Sequence, residues 1–320
     1  MNDGAKLHLR QWRSETASGD GRARAVLHGV LHIVHGMAEH SLRYERLAQR
    51  LCAEGFDVWA ADQRGHGLTA DRSVNDPGKG GLLGHCFDGD GFSRVTEDID
   101  YINRQIKNEY NNVPLFLLGH SWGSFICQNY IETYGNSLIS GCILSGTRGP
   151  GGAKLSMGLP VLSLIAALKG RRKGSSLARA MADGPYSKPF RPNRTSFDWL
   201  SRDKAEVDSY INDTLCGKLC SVGFYKDLVS GLKRIHRPDA FQKIPRDLPV
   251  FVFSGSADPV GDMGASTTDL VNIYRKTGIE DLEFILYPDA RHEPLNETNR
   301  EEVTANLLAW LNKHTERQER

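Results

Sequence analysis

The sequence predicts an α/β protein in which a mostly parallel sheet is flanked by helices. Short apolar runs with the length of buried strands alternate with segments of helical spacing from Val30 to Gly146, and the same rhythm resumes at Val250. Between these parts, residues 147–243 contain helix-like pieces separated by Gly and Pro, without runs of the strand type. The pattern therefore predicts a core formed by residues 1–146 and 244–320, interrupted by a helical cap at residues 147–243.

Individual elements follow from local patterns. Alternation predicts an edge strand at Leu7–Trp12, and a turn follows at Ser18–Gly21. The buried strands are predicted at Val30–Val34, Phe56–Ala61, Leu115–Leu118, Gly141–Gly146, Val250–Gly255 and Leu282–Tyr287. Core helices are predicted from the N-cap Ser41 to Gly55, from Asp88–Gly91 through Ile106, at Phe125–Tyr134 and Ala265–Lys276, and through Val303, Leu307 and Leu311. The cap helices are predicted at Leu159–Leu168, Ser176–Ala182, Lys204–Leu215 and Val222–Ile235.

The composition of the chain argues against several classes of protein. Forty basic residues against 39 acidic ones leave a net charge of +1, which argues against binding to a nucleic-acid backbone. The first residues, Met1–Lys6, lack the pattern of a secretion signal, and no apolar run has the length of a membrane span, so we expect a cytoplasmic protein. The six cysteines lack paired C-x-x-C spacing, which predicts free thiols rather than a disulfide framework or a zinc site.

The strongest motif is Gly119-His120-Ser121-Trp122-Gly123, which lies between a predicted strand and a predicted helix. In that context Gly-x-Ser-x-Gly is typical of a nucleophile elbow, a turn so sharp that the positions two before and two after the serine tolerate almost no side chain. The alternative is a tight turn with an incidental serine. The flanking strand and helix favour Ser121 as a nucleophile.

A serine nucleophile needs a base, and the base needs an acid to orient it. The first acid directly beyond a clear strand after Ser121 is Asp258, and Asp262 is the runner-up. Two histidines follow Asp258: His314 in the charged tail, and His292 just past the last predicted strand. Ser121, Asp258 and His292 are therefore the predicted catalytic triad.

Negative charge that develops on the substrate oxygen requires backbone N–H donors. The predicted donors are Trp122, directly after the nucleophile, and Met37, in the loop after the strand at Val30–Val34. His35 and His40 flank that loop, but the sequence places no Cys or carboxylate framework around them, so we predict no metal there.

With these residues in place, the chain resembles the α/β-hydrolase superfamily, and within it the monoacylglycerol lipase and lysophospholipase-like branch. The matching motifs run from about residue 30 to residue 300. They are His35-Gly36-Met37-Ala38-Glu39-His40-Ser41 with Arg43-Tyr44, Asp62-x-Arg64-Gly65-His66-Gly67, the elbow, and Arg291-His292-Glu293 with Asn296-Glu297. The resemblance implies hydrolysis of carboxylic esters through an acyl-enzyme, with no cofactor and with a small lipid ester as substrate.

Several alternatives remain open at this point. The same triad would serve an amide, a peptide (as in proline-iminopeptidase-like enzymes) or a thioester, and a non-catalytic ligand-binding homologue is a more distant possibility. Epoxide hydrolases and dehalogenases of this fold use an aspartate nucleophile and are disfavoured. Leu159–Leu168, followed by the basic Lys169–Lys173, would suit transient contact with a membrane surface, although such a helix more often packs on its own protein. The oligomeric state is left open.

Overall fold

The computed structural model of the chain describes residues 1–14 and 27–316, with side chains described except at 152–157 and 316. The turn predicted at Ser18–Gly21 lies outside these residues. Seven strands form one sheet in the order β1-β3-β2-β4-β5-β6-β7. Only β1 is antiparallel to its neighbour, which confirms a mostly parallel sheet with β1 at its edge. The strands are β1 Leu9–Trp12, β2 Gly29–Val34, β3 Phe56–Ala61, β4 Leu115–His120, β5 Gly141–Ser145, β6 Val250–Gly255 and β7 Leu282–Tyr287.

Helices cover both faces of this sheet. They are α1 Glu45–Ala53, α2 Gly91–Glu109, α3 Trp122–Thr133, α4 Gly152–Lys169, α5 Ser176–Ala182, α6 Lys204–Asn212, α7 Val222–Ile235, α8 Pro238–Phe241, α9 Ala265–Thr277 and α10 Arg300–Glu316. In β2, Val30 and Val34 pack with α2 and α3, whereas Leu31 and Ile33 pack with α1 and α10. This alternation is the two-residue period of a strand that is buried on both sides.

The helices α4 to α8 lie between β5 and β6, where the sequence pattern loses its strands. Within this part, α4 is longer than predicted and α6 ends three residues earlier, at Asn212. Among the described residues, no helix combines the length and the apolar character needed to cross a membrane.

Two local predictions were wrong. Ser41 does not cap α1, which begins at Glu45. Instead the Ser41 N–H and hydroxyl both donate to Asp62, at 2.8 and 2.5 Å. His314 does not lie in a charged tail beyond the last helix, because it belongs to α10, where it is buried with its Nδ1 2.7 Å from the Trp310 carbonyl. The start of α2 is confirmed, since the Asp90 side chain accepts from the Ser93 N–H at the helix N-terminus.

Candidate active site

Ser121 occupies a strained turn between β4 and α3. Its backbone has φ 53° and ψ −123°, a conformation that side-chain-bearing residues rarely adopt. A Cβ on Gly119 would lie 2.5 Å from the Gly123 carbonyl oxygen, and a Cβ on Gly123 would lie 2.1 Å from the Val34 carbonyl oxygen. The two glycines therefore have the steric role that the motif predicts, and they let α3 begin directly after Ser121.

The structure brings Ser121, His292 and Asp258 together. His292 Nε2 lies 2.7 Å from Ser121 Oγ, and His292 Nδ1 lies 3.0 Å from both carboxylate oxygens of Asp258. Ser121 follows β4, Asp258 follows β6 and His292 follows β7, so all three stand at the carboxyl edge of the sheet. The runner-up, Asp262, is exposed.

Burial and charge act in opposite directions on this pair. Burial alone would lower the pKa of His292, but the adjacent Asp258 carboxylate outweighs it and the pKa lies above the ordinary imidazole value. Burial would likewise raise the pKa of Asp258, yet His292 and further hydrogen bonds hold it below its usual range. Asp258 is therefore a carboxylate at neutral pH, ready to stabilise a protonated His292.

Two further groups hold Asp258, and sequence reasoning missed them. The Ser254 hydroxyl donates to Asp258 Oδ2 at 3.0 Å, and the Val260 N–H donates to Oδ1 at 2.9 Å. Ser254 lies in β6, four residues before the acid. For Ser254, the signal that could have revealed it is a serine inside an otherwise apolar strand.

Met37 lines the same cavity as Ser121, whereas Trp122, the next residue in the chain, lines a separate small cavity with Phe92 and Phe224. The Trp122 N–H is the first amide of α3, and the first amides of a helix have no acceptor within the helix. The Trp122 ring stacks on His66, with ring centres 5.1 Å apart, and lies 5.0 Å from Phe224. Aromatic packing thus fixes the start of α3 next to Ser121.

Comparison with known proteins identifies the family to which this chain belongs. Residues 26–299, most of the chain, match the Hydrolase_4 family, described as serine aminopeptidase, S33. The chain belongs to this family. It is 28% identical over 289 residues to a monoacylglycerol lipase of Mycolicibacterium smegmatis, covering 89% of each chain. It is 29% identical over 273 residues to human monoglyceride lipase, covering 81% of this chain and 72% of the human protein.

A solved structure agrees with this placement. The crystal structure of a thermostable carboxyl esterase from Bacillus coagulans in complex with glycerol is 26% identical. It superimposes with a TM-score of 0.83 over 97% of this chain and 99% of the esterase. The predicted α/β-hydrolase fold and the resemblance to monoacylglycerol lipases are both confirmed.

In this Hydrolase_4 chain, a buried ionic network joins the Met37 loop to the His292 loop. Arg43 donates to Glu39 at 2.6 Å and to both carboxylate oxygens of Glu293 at 2.7 and 2.8 Å. Glu39 in turn accepts from the Gly36 N–H at 2.5 Å and from the Tyr44 hydroxyl at 2.8 Å. Burial opposes ionisation of Glu39, but Arg43, together with His120, His35 and the Gly36 N–H, outweighs it, and the pKa of Glu39 falls to about 2.

Two residues of the segment between α5 and α6, Trp199 and Leu200, contact the loop that carries His292. The Trp199 ring lies 5.1 Å from the His292 ring, and the His292 N–H donates to the Trp199 carbonyl at 3.3 Å. The Glu293 N–H donates to the Leu200 carbonyl at 2.8 Å. These contacts link residues more than 90 positions apart, so no local pattern could have revealed them.

Two cavities share lining residues from the region of α5 to α7. One of about 40 Å³ lies at Ser121, and a second of about 570 Å³ lies farther out. Both are lined by Arg179, Asp183, Phe197, Trp199 and Gly217. The inner cavity has room for only a few water molecules, so a larger molecule needs some of its lining residues to move before it fits beside Ser121.

The two histidines that flank the Met37 loop differ. His35 is fully engaged, because its Nε2 accepts from the Gln63 N–H at 2.9 Å and its Nδ1 lies 2.8 Å from the Gly36 carbonyl. His40 has a carboxylate and a thiol beside it, from Asp213 and Cys216. The premise that no such framework surrounds His40 was therefore wrong.

Proposed function

We propose that this chain hydrolyses single-chain acyl esters of glycerol, with lysophospholipids as the next class, through an acyl-enzyme on Ser121. The observation that carries the proposal is the hydrogen-bonded series from Ser121 Oγ through His292 to Asp258. Sequence relatives named monoacylglycerol lipase support the choice of ester.

In the proposed mechanism, His292 Nε2 takes the proton of Ser121 as the hydroxyl oxygen attacks the ester carbonyl. Asp258 stabilises the imidazolium that forms, and the Met37 and Trp122 amides bind the oxyanion. His292 then passes the proton to the leaving alcohol. Water, activated by the same imidazole, releases the fatty acid from Ser121. These steps need no cofactor.

Residues 147–243 are proposed to act as a helical cap on a core formed by residues 1–146 and 244–320. The support is that α4 to α8 leave the sheet after β5 and return before β6. In addition, Phe197, Tyr210 and Gly217 from this region line the cavity at Ser121. Substrate entry would require the cap to separate from the rim of the sheet.

The residues that line the cavity at Ser121 help to decide whether the substrate is an ester or a peptide. Its three lining carboxylates are each paired with an arginine: Glu39 and Glu293 with Arg43, and Asp183 with Arg179. The lining residues therefore offer no unpaired carboxylate to the ammonium group of a peptide N-terminus. This arrangement favours an uncharged or polar alcohol as leaving group over an aminopeptidase substrate.

The test has two parts. A fluorophosphonate probe should label the wild type and Ser137→Ala, a control serine near the end of α3, but not Ser121→Ala. Turnover of monoacylglycerols of several chain lengths, lysophospholipids, acyl-CoA and prolyl amides should then be compared, with monoacylglycerols fastest. Faster cleavage of the amide or the thioester would defeat the ester assignment, and equal labelling of Ser121→Ala would defeat the nucleophile.

We also propose that the cap touches lipid surfaces transiently. Exposed apolar side chains on α4 and α5 support this: Val161, Leu164, Leu168, Leu177 and Met181. Of the basic residues that follow α4, however, Arg171 pairs with Asp227 and Arg172 with Asp88, so they contribute less free charge than the sequence implies.

Leu164 and Leu168 are 60% and 76% exposed, and replacing both with Gln should reduce sedimentation with phosphatidylcholine–phosphatidylserine vesicles. Leu68→Gln, an exposed leucine at 49% on the loop after β3, is the matched control. Equal sedimentation of the double variant and the wild type would exclude this face. A cytoplasmic location stays a prediction, supported by six free cysteines.

A further inference from the structure

A histidine, a carboxylate and a thiol meet where the Met37 loop touches the segment after α6. His40 Nε2 lies 2.7 Å from Asp213 Oδ2, and one potential ligand atom from each of His40, Asp213 and Cys216 lies within 4.8 Å of the other two. The His40 and Cys216 residues are each only 4% exposed. His40 Nδ1 is also buried, and no hydrogen-bond partner for it exists among the described residues.

The charges around the thiol suit a cation. The groups that act on Cys216 are one cation, Arg43, and three acids, Glu39, Asp213 and Glu293. The Asp213 carboxylate accepts from the Leu215 N–H at 2.7 Å and lies 2.7 Å from His40 Nε2. Of these acids, Glu39 and Glu293 pair with Arg43, whereas the ion-pair partner of Asp213 among the described residues is His40, so the Asp213 carboxylate is the charge available to a cation.

We propose that His40, Asp213 and Cys216 form a binding site for a thiophilic divalent cation, represented by Zn²⁺. Imidazole nitrogen, carboxylate oxygen and thiolate sulfur are the three ligand types that zinc takes in proteins. Tetrahedral zinc with bonds of roughly 2.0–2.3 Å holds its ligands about 3.5 Å apart, so the present spacing needs only a small adjustment. Water would fill the fourth position.

Binding has a defined proton balance. A free cysteine thiol keeps its proton at neutral pH, because its ordinary pKa is about 8.5. Formation of the sulfur–zinc bond releases that proton to solvent, one per ion bound, with no oxidation or reduction. Affinity should therefore increase as the pH rises.

The position of the site gives it a consequence for turnover. The Gly217 N–H donates to the Ala38 carbonyl at 2.8 Å, and the Tyr210 hydroxyl donates to the same oxygen at 3.0 Å. Ala38 follows Met37, the proposed oxyanion donor. An ion at His40 would add a third and stronger link between this loop and the cap, which would hinder the movement that admits substrate.

The experiment measures binding directly. Protein freed of metal with a chelator is titrated with Zn²⁺ in competition with a chromogenic chelator, and Co²⁺ serves as an optical probe of thiolate ligation. The wild type should bind one ion per chain and show thiolate-to-cobalt absorption. Cys216→Ser and Asp213→Asn should weaken Zn²⁺ binding at least about tenfold, since even residues that only support metal ligands are worth that much.

Cys220→Ser is the matched control, a buried free cysteine four residues further along, and it should bind like the wild type. Ester turnover by the wild type should fall with added Zn²⁺ and recover with chelator, whereas Cys216→Ser should keep its basal turnover and lose this inhibition. The proposal is overturned if the wild type binds no zinc or if Cys216→Ser binds it equally well. If Cys216→Ser fails to fold, Asp213→Asn decides in the same way.

Discussion

Replacing Arg43 with methionine should convert the ionic network beneath the active site from a stabilising into a destabilising feature. The Arg43 side chain is 11% exposed, and its partners Glu39 and Glu293 are 3% and 5% exposed. Methionine fills part of the volume but leaves both carboxylates buried without a cation. Breaking a buried pair in this way costs about 3–5 kcal/mol of unfolding free energy.

The pKa values of the two carboxyl groups determine how this loss of stability changes with pH. In the wild type the pKa of Glu39 is about 2 and that of Glu293 is also lowered. Their contribution to stability is therefore complete above the ordinary carboxyl pKa and is lost as the pH falls toward 2. In Arg43→Met, burial without a cationic partner raises the pKa of both carboxyl groups. Their protonation at lower pH then removes part of the loss in unfolding free energy. The deficit should therefore be largest near pH 8 and smaller near pH 5.

Urea unfolding followed by tryptophan fluorescence at these two pH values measures the difference. The variant Arg43→Met, Glu39→Gln, Glu293→Gln is the control, and it should regain part of the lost stability because no buried charge is left. A single variant that loses less than about 1 kcal/mol, as exposed ion pairs do, would contradict the reasoning. So would a deficit that stays constant with pH.

Four further outcomes are expected around Ser121. The pH profile of kcat/KM should fall on its acidic side with a midpoint above the ordinary imidazole pKa of about 6.5, because Asp258 raises the pKa of His292. Asp258→Asn should move that midpoint to lower pH and reduce kcat by about 10⁴, and an unchanged midpoint would exclude Asp258 as the partner. Ser254→Ala removes one hydrogen bond from Asp258 and should lower kcat about tenfold at constant KM; a change in KM alone would argue against positioning. Gly123→Ala drives a methyl group toward the Val34 carbonyl, so thermal unfolding should show a loss of about 1–3 kcal/mol, and an unaltered Tm would refute the steric argument.

The sheet was predictable because its signals are local. Each buried strand is a short apolar run beside turn residues, and every predicted strand corresponds to a strand of the structure. The elbow adds a steric signature, since Gly119 and Gly123 leave no space for a Cβ. Chain order and strand ends were then enough to select Asp258 and His292 from the acids and histidines that follow Ser121.

Other features depend on partners distant in sequence. Ser41 has the residue type of a helix cap, but Asp62, 21 positions later, offers it a buried carboxylate and prevails over the local preference. Asp213 and Cys216 are ordinary residues of a loop until folding brings them to His40. Contacts of this kind carry no period or motif, so only the three-dimensional structure reveals them.

The order of the strands has a consequence for synthesis of the chain. Ser121 is made early, but β6 and β7, which carry Asp258 and His292 to its side, come from the last quarter of the sequence. The sheet face that includes Phe116 and Phe251 is covered by Trp310 of α10, so it stays uncovered until α10 has been synthesised. A nascent chain on the ribosome would therefore carry an inert serine, and the ability to cleave esters would appear only when elongation is nearly finished.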